Sequence, residues 1–285
     1  MLGRVTKIAS IIQLCFLQNI PTSLAGILGG VNIPDVNGLL TPVMADAMVT
    51  AIGISMDHRS YEPATSMDTG LSFGIESTLV QPSSALGTFI GTITNSNTPT
   101  TVPILPSLKF HFHKGLSRGV DVGISFLPPL SSIPYIGKSF LIGGDLKIIL
   151  WAPEEGLTWA IRGSYNLNSL TVDEGALSLS MKTATVSPQL LISKKLTFAD
   201  PYLGVGFQYT YGSAQLTLDP SEFNLPANIP TISPISITQN GIGINTFFFM
   251  GICLRIPSLA FMLTLEGAYS PYGMNYLGTK VGFGF

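Results

Sequence analysis

The stretch YLGTKVGFGF, Tyr276–Phe285, decides how the rest of the sequence is interpreted. One set of alternate residues is mostly apolar, and the other set is mostly glycine with one lysine. The first set is Leu277, Thr279, Val281, Phe283 and Phe285, and the second is Tyr276, Gly278, Lys280, Gly282 and Gly284. Strict alternation predicts a β-strand whose two faces meet different surroundings.

The composition limits what those surroundings can be. Of the 285 residues, 46% are hydrophobic and only 11% are charged, against about 25% charged residues in typical soluble domains. The mean hydropathy is +0.43, yet no run of about eighteen apolar residues predicts a membrane helix. The formal net charge of -2 gives no basic footprint, so no nucleic-acid partner is expected.

The first 25 residues have the pattern of a cleaved secretory signal peptide. Arg4 and Lys7 precede a short apolar core at residues 8–17, and Ser-Leu-Ala at residues 23–25 supplies small residues for cleavage. We therefore expect a protein that leaves the cytoplasm and begins at Gly26.

From Gly70 onward, ten segments of about ten residues alternate between apolar and polar or glycine positions. This is the length at which a tilted strand crosses hydrocarbon. The clearest is YLGVGFQYTYG, residues 202–212, and the least clear contains Pro188, because proline removes a ladder hydrogen bond. Residues 69–285 are thus predicted to form an all-β, antiparallel, up-and-down transmembrane β-barrel of about 10 strands, with 12 as the alternative count.

The connections between these segments alternate in length, which is typical of strands threaded up and down through a membrane. The short ones are residues 114–119, 153–156, 196–200 and 256–258, and the long ones are residues 81–103, 127–138, 167–176 and 215–239. With an even strand count, both ends of the barrel are expected on the periplasmic side. The apolar faces are expected to contact lipid, and the polar and glycine faces to line the lumen.

The final strand resembles the C-terminal targeting strand of bacterial outer-membrane β-barrel proteins. That strand ends in an aromatic residue preceded by alternating apolar residues, which are Val281, Phe283 and Phe285 in this chain. The resemblance implies a Gram-negative outer-membrane location and two partners, outer-membrane lipid and the barrel-assembly machinery.

Residues 26–68 are predicted to form a periplasmic or plug segment that contains a short helix. Apolar residues from Val36 to Ala47 recur at helical spacing after Asp35, a candidate cap. With the later pair Pro63-Ala64, this segment resembles the fatty-acid transporter family of outer-membrane barrels, whose N-terminal segment plugs the lumen. The present sequence has fewer strands than that family. The alternation of Ile52, Ile54 and Met56 leaves an extra strand as another interpretation.

Eight charged residues fall on the predicted inner face, four acidic and four basic. They are Glu76, Lys109, Asp121, Asp145, Lys147, Arg162, Glu266 and Lys280. Closure of the barrel is expected to bring Glu76 beside Lys280, with Glu266 on the other side of Lys280. Ion pairs in a narrow lumen predict a structural cross-brace, and a solute or proton path is the alternative.

Another part of the inner face combines glycines with two aromatic residues. These residues are Gly204, Gly206, Gly243, Phe247, Phe249 and Gly251. Such a wall is predicted to accept the N-terminal plug or an elongated apolar ligand. The alternative is that the glycines relieve strand curvature.

His111 and His113 share one strand face at a spacing that suits a metal only if a third ligand approaches. No neighbouring Cys or His accompanies them in the sequence, so neither a metal site nor another cofactor is expected. Catalysis is not expected either, since no Gly-x-Ser-x-Gly elbow occurs and Asp57 beside His58 is not a relay by adjacency alone.

These patterns predict a porin-like barrel that acts as a narrow or gated pore or transporter for small or hydrophobic solutes. A non-conducting structural or adhesive barrel that acts through its surface loops is the alternative. An outer-membrane enzyme is the third interpretation.

Overall fold

The computed structural model describes residues 40–65, 67, 69–81, 105–116, 119–127, 138–174, 177–219, 233–271 and 274–285. The predicted signal peptide, residues 1–25, lies outside the described residues. So does Asp35, the predicted helix cap.

Ten strands form a closed barrel in sequence order, with β10 paired to β1. The strands are β1 Leu71–Val80, β2 Leu105–Leu116, β3 Val120–Leu127, β4 Lys138–Trp151, β5 Leu157–Glu174, β6 Leu177–Lys194, β7 Ala199–Leu218, β8 Ile235–Ile256, β9 Phe261–Tyr269 and β10 Tyr276–Gly284. Every neighbouring pair is antiparallel. The predicted fold is therefore confirmed, with ten strands.

The alternation in the sequence separates the two faces of the wall. In β1, Leu71, Phe73 and Ile75 are exposed outside the barrel, whereas Ser72 and Glu76 are completely buried inside it. Closure pairs the backbone of every strand on both sides, which is what hydrocarbon requires. A closed antiparallel barrel with an apolar exterior is the architecture of a transmembrane β-barrel.

Among the described residues, no helix has both the length and the apolar character needed to cross a bilayer.

Short connections of three to five residues join β2 to β3, β4 to β5, β6 to β7 and β8 to β9 at one end of the barrel, which we call the turn end. The opposite end is called the loop end. The predicted loop at residues 167–176 is wrong, because β5 continues to Glu174 and β6 begins at Leu177. Polar residues in this stretch form regular ladder pairs, including Asn168 with Thr183.

Pro188 lies inside β6, where the sequence pattern was least clear. It faces outward opposite Gly163, and the β6 to β7 ladder continues in the same register on both sides of it. The missing amide donor therefore interrupts the ladder only locally.

Among the described residues, one α-helix, α1, spans Pro42–Ser55 and lies against β6, β7 and β8. Pro42 suits the first turn because its missing amide hydrogen would have no helical partner there. The Thr41 hydroxyl accepts a hydrogen bond from the Met44 amide at 3.3 Å. The helix includes Ile52 and Ile54, so the interpretation of this stretch as an extra strand is wrong.

Residues 56–65, which we call the strap, follow α1 and lead to β1. At the end of the strap, the Thr65 amide donates to Ser193 Oγ at 3.1 Å, and the Thr65 hydroxyl donates to Asp200 at 3.1 Å. Both partners flank the turn between β6 and β7. The strap therefore runs through the lumen toward the turn end, and residues 40–65 together are called the lumen segment.

Candidate functional site: the interface between the barrel wall and the lumen segment

The helix fits against β8 because two wall residues lack side chains. A Cβ atom on Gly243 would lie 2.9 Å from Thr50 Cα, and one on Gly241 would lie 2.6 Å from the Ala45 carbonyl oxygen. The Asp46 carboxylate accepts a hydrogen bond from the Ile242 amide at 2.7 Å. The glycines therefore allow the backbones of α1 and β8 to approach closely.

Apolar contacts hold the other side of α1 near the loop end. The buried cluster there comprises Leu40, Met48, Ala51, Met181 and Ala214. Burial of a large side chain such as Leu40, Met48 or Met181 contributes about 1.5–3 kcal/mol relative to leaving it exposed. The helix is thus held mainly by shape and apolar burial.

The predicted glycine and phenylalanine wall is filled by its own side chains in most places. The ring of Phe249 covers Gly204, and the ring of Phe247 covers Gly206. The ring of Tyr202 covers Gly251. Of the four predicted wall glycines, Gly243 alone lies against the lumen segment. Phe247 and Phe249 belong to a buried apolar cluster that includes Ile54, Tyr61 and Ala64 of that segment.

The strap is held by a different kind of contact. Every residue from 57 to 65 is buried. Lys109 Nζ donates to the Asp57 carbonyl oxygen at 2.5 Å and to Glu76 Oε1 at 2.8 Å, and Gln208 Nε2 donates to Asp57 Oδ2 at 2.5 Å. Charge-assisted hydrogen bonds of this type are among the stronger ones in proteins.

Lys147 and Lys280 hold the second half of the strap. Lys147 Nζ donates to the carbonyl oxygens of Pro63 and Thr65 at 2.8 and 2.9 Å, and it also pairs with Asp121 at 2.9 Å. Lys280 forms a buried ion pair with Glu62. Wall cations thus bind both the backbone and the side chains of the strap.

All eight predicted lumen charges lie inside the barrel and are at most 8% exposed. Their pairing differs from the expectation. Lys280 lies opposite Glu76 in the ladder, but its ion pair is with Glu62 of the strap, whereas Glu76 pairs with Lys109. The expected contact between Glu266 and Lys280 is also wrong, because Glu266 lies opposite Gly278.

Glu266 instead accepts hydrogen bonds from the hydroxyl groups of Tyr202 and Tyr276, each at 2.7 Å. Arg162 contacts both sides of the interface, since it bonds Gln189 of the wall and Ser60 of the strap. The charges therefore connect the wall to the strap more than they connect strand to strand.

Sequence reasoning missed the strap residues that complete this network. Arg59 lies with its guanidinium carbon 4.1 Å from the centre of the Tyr276 ring, and its Nη2 donates to the Ile54 carbonyl oxygen at 2.5 Å. One signal was present: the sequence DHRSYE, residues 57–62, concentrates four titratable side chains besides tyrosine in a chain that is only 11% charged.

Tyr61 occupies the tightest point of the strap. Its φ of 48° is unusual for a residue with a side chain and persists only where surrounding contacts fix it. The Tyr61 hydroxyl is 2.7 Å from Thr78 Oγ1, and its ring lies over Gly278, where a side chain would collide with it. The space next to Gly278 in β10 is thus shaped for Tyr61.

Three histidines meet where the strap crosses β2 and β4. His58 Nε2 is 2.5 Å from Asp145 Oδ1, and His58 Nδ1 is 2.6 Å from Ser125 Oγ. His111 Nε2 is 2.5 Å from Glu76 Oε2. The expectation that no further histidine accompanies His111 and His113 does not hold in three dimensions, because the strap brings in His58.

No protein-family model matches the chain, and no curated protein matches it either. The resemblance of the N-terminal segment to the fatty-acid transporter family therefore receives no support from these comparisons.

Several solved structures are similar to this chain at low sequence identity. The attachment invasion locus protein Ail of Yersinia pestis is 10% identical, with 76% of this chain and 99% of Ail covered and a TM-score of 0.32. The outer membrane protease OmpT of Escherichia coli is 12% identical, with 79% of this chain and 99% of OmpT covered and a TM-score of 0.38. The translocator domain of the autotransporter NalP of Neisseria meningitidis is 10% identical, with 84% of this chain and 93% of that domain covered and a TM-score of 0.36. Similarity at this level gives no residue-by-residue correspondence.

Proposed function

We propose that the chain is a bacterial outer-membrane barrel that acts as a gated pore, closed by its own lumen segment. The observation that carries the proposal is the complete burial of residues 57–65 inside a ten-stranded wall, held by polar contacts. A segment in this position blocks passage along the barrel axis. Its displacement is the opening step of the proposed pore.

The apolar exterior supports the outer-membrane location. Val281, Phe283 and Phe285 of the final strand are all exposed on the outside, as expected for a strand that contacts lipid and the barrel-assembly machinery. Closed barrels with alternating strands are the form in which β-structure spans bacterial outer membranes. The predicted signal peptide is consistent with export to that membrane.

The polar character of the strap interface favours a movable plug over a permanent core. When an ionic interface separates in a water-filled lumen, water can solvate the freed groups, whereas an apolar interface has no such compensation. Asp57 Oδ1 and the Nε and Nη1 atoms of Arg59 are buried without hydrogen-bond partners among the described residues. Such atoms reduce the net stability of the closed arrangement.

Displacement of the strap would expose an inner wall that has both charged and aromatic residues, and such a wall suits small solutes that are polar or apolar. The eight predicted lumen charges are four acidic and four basic, and the further buried acid Asp200 is paired with Arg255, which argues against strong selection for one sign of charge. Tyr202, Phe247, Phe249 and Tyr276 form an aromatic cluster on the same inner face, and such a surface favours apolar groups. Small or hydrophobic solutes are therefore the proposed cargo, and catalysis is not part of the proposal.

A non-conducting structural or adhesive barrel is the second candidate. The dense contacts along the whole strap favour it, because a permanently filled lumen would stabilise the wall in the same way. Residues 82–103 and 220–232 of the predicted surface loops lie outside the described residues. The predicted bounds of the loop at residues 215–239 are wrong, because β7 continues to Leu218 and β8 begins at Ile235.

Single-channel conductance in planar bilayers separates the two candidates. We expect the wild-type barrel to be closed most of the time and a variant lacking residues 40–65 to conduct steadily. The double variant Glu62→Gln with Lys280→Met removes one ion pair without leaving either charge alone, and it should open more often than wild type. Lys138→Met, an exposed change at the start of β4, serves as the control.

Correct insertion of each variant is checked by the protease resistance of the barrel in the same bilayers. If the deletion and the double variant are inserted and both remain silent, the pore proposal is wrong and the structural candidate stands.

A further inference from the structure

The three histidines of the chain all converge at one point in the lumen. The sequence contains only His58, His111 and His113, and their ring nitrogens can be chosen so that all lie within 4.8 Å of one another. His58 comes from the strap, and the other two come from β2. Each of the three residues is at most 3% exposed.

Hydrogen bonds to the outer nitrogens orient two of the rings. Glu76 accepts from His111 Nε2, which leaves His111 Nδ1 directed toward His113 Nε2 at 3.5 Å. Ser125 Oγ contacts His58 Nδ1, which leaves His58 Nε2 directed toward Asp145. A carboxylate or hydroxyl on the far nitrogen is the usual support for a metal-binding histidine.

Asp145 completes a set of four donors. Its Oδ1 atom is 2.5 Å from His58 Nε2 and 4.0 Å from His113 Nε2. Among the described residues, its ion pairs are with these two histidines and with no lysine or arginine. A buried carboxylate is normally paired with a cation or bound to a metal, and here the rings of His58 and His113 lie next to it.

Two glycines leave the space that the four donors use. A Cβ atom on Gly123 would lie 2.7 Å from His113 Cε1, and one on Gly143 would lie 3.0 Å from His58 Cβ. Side chains at these positions in β3 and β4 would push the rings apart. The wall is thus shaped to let the rings and the carboxylate meet.

We propose that His58 Nε2, His111 Nδ1, His113 Nε2 and Asp145 Oδ1 bind one divalent transition-metal ion, with Zn²⁺ as the best fit. Three imidazoles and one carboxylate form a four-donor set that suits tetrahedral zinc. Zinc–nitrogen bonds of about 2.0–2.1 Å require the three ring nitrogens, which lie within 4.8 Å of one another, to come closer through small side-chain movements. The ion must also replace the hydrogen bond between His58 and Asp145. The ion would bind the strap to β2 and β4 at once.

The test measures zinc in the folded full-length protein, purified without a histidine tag. We expect one Zn²⁺ per barrel by elemental analysis after equilibration with zinc and removal of the excess. Co²⁺ substituted for zinc should give the intense visible absorption of a tetrahedral site. A wild-type barrel that binds no zinc at micromolar concentrations would overturn the proposal without reference to any variant.

Variants then assign the ligands. His113→Asn should weaken zinc binding by more than about 100-fold, and Glu76→Gln should weaken it by about 10–100-fold because Glu76 only orients His111. Tyr202→Phe, a change elsewhere in the lumen, is the matched control and should bind as wild type does. Equal affinity of His113→Asn and wild type would place the metal elsewhere and contradict the assignment.

The outcome is independent of conductance. Zinc binding in a barrel that never conducts would support the site and refute the pore, whereas a conducting barrel without zinc binding would do the reverse.

Discussion

The lumen segment meets two different walls, and the two halves of the segment are held in different ways. The helix α1 packs against β8 by close backbone approach at Gly241 and Gly243 and by apolar burial. The strap meets the wall through lysines such as Lys147 and Lys280, which bind its carbonyl and carboxylate oxygens. The helix is therefore held mainly by shape and apolar burial. The strap is held mainly by charged contacts, with Tyr61 and Ala64 adding apolar burial.

This difference indicates which half of the lumen segment is more sensitive to the pH and salt concentration of the solution. Apolar packing changes little with pH or salt, whereas ion pairs respond to both once water enters. In the proposed pore, the strap is therefore the half of the segment that a change in pH or salt is expected to release, and the helix is the half that is expected to stay in place. The following substitutions weaken one half at a time.

The largest effect is expected for Lys280→Met. Removal of Lys280 leaves the Glu62 carboxylate buried without its cation, and loss of one partner from a buried ion pair costs about 3–5 kcal/mol. The free energy of unfolding, measured by urea titration in lipid vesicles, should fall by this amount. Lys138→Met is exposed and should change it by less than about 0.5 kcal/mol. Equal losses for the two variants would show that the charged contact does not hold the strap.

A smaller effect is expected on the helix side for Gly243→Leu. The new side chain would collide with the Thr50 backbone, and overpacking of this type costs about 1–3 kcal/mol. The matched control is Gly163→Leu, because a Cβ atom there has no neighbour within 4 Å and the residue faces outward. The same urea titration compares the two leucine variants, and a loss no greater at residue 243 than at residue 163 would argue against tight packing of α1.

The smallest effect is expected for Tyr276→Phe. This change removes one hydrogen bond to Glu266, which keeps its bond to Tyr202 at 2.7 Å, so the loss should be about 1 kcal/mol. The exposed Tyr269 on the outer face provides the matched control, and Tyr269→Phe should be close to neutral. A loss above about 3 kcal/mol would mean that Glu266 cannot be held by Tyr202 alone.

The wall of the barrel could be predicted from the sequence because lipid and lumen impose opposite chemistry on neighbouring residues. In β10, the sequence places Leu277, Val281 and Phe283 on the face toward lipid and Lys280 on the face toward the lumen. The same logic fails at the loop end, where β5 and β6 continue to their two-residue connection. Asn168 looked like a loop residue, but it faces the lumen and donates a hydrogen bond to Thr183. Polar residues such as Thr171 near the strand ends made the apolar alternation too weak to show that the strands continue.

The alternation of residues along each strand does not predict which lumen charges form ion pairs. It predicts that Glu76 lies opposite Lys280, and the ladder has that register. Which charges pair also depends on the strap, which has no period and whose path is set only when the barrel closes around it. The sequence therefore did not predict that Glu62 and His58 belong to the network, although both lie in the unusually charged stretch at residues 57–62.

The path of the lumen segment constrains how the proposed gate can open. The strap is tied covalently to β1 at the turn end, whereas residue 40 lies toward the loop end, in the cluster with Met181 and Ala214. Withdrawal toward the tether would drag α1 along the whole axis of the barrel. A passage is formed with much less movement if the strap alone bends away from Lys147 and Lys280 while the helix stays in place. The proposed gate is therefore expected to open by bending of the strap and not by removal of the whole lumen segment.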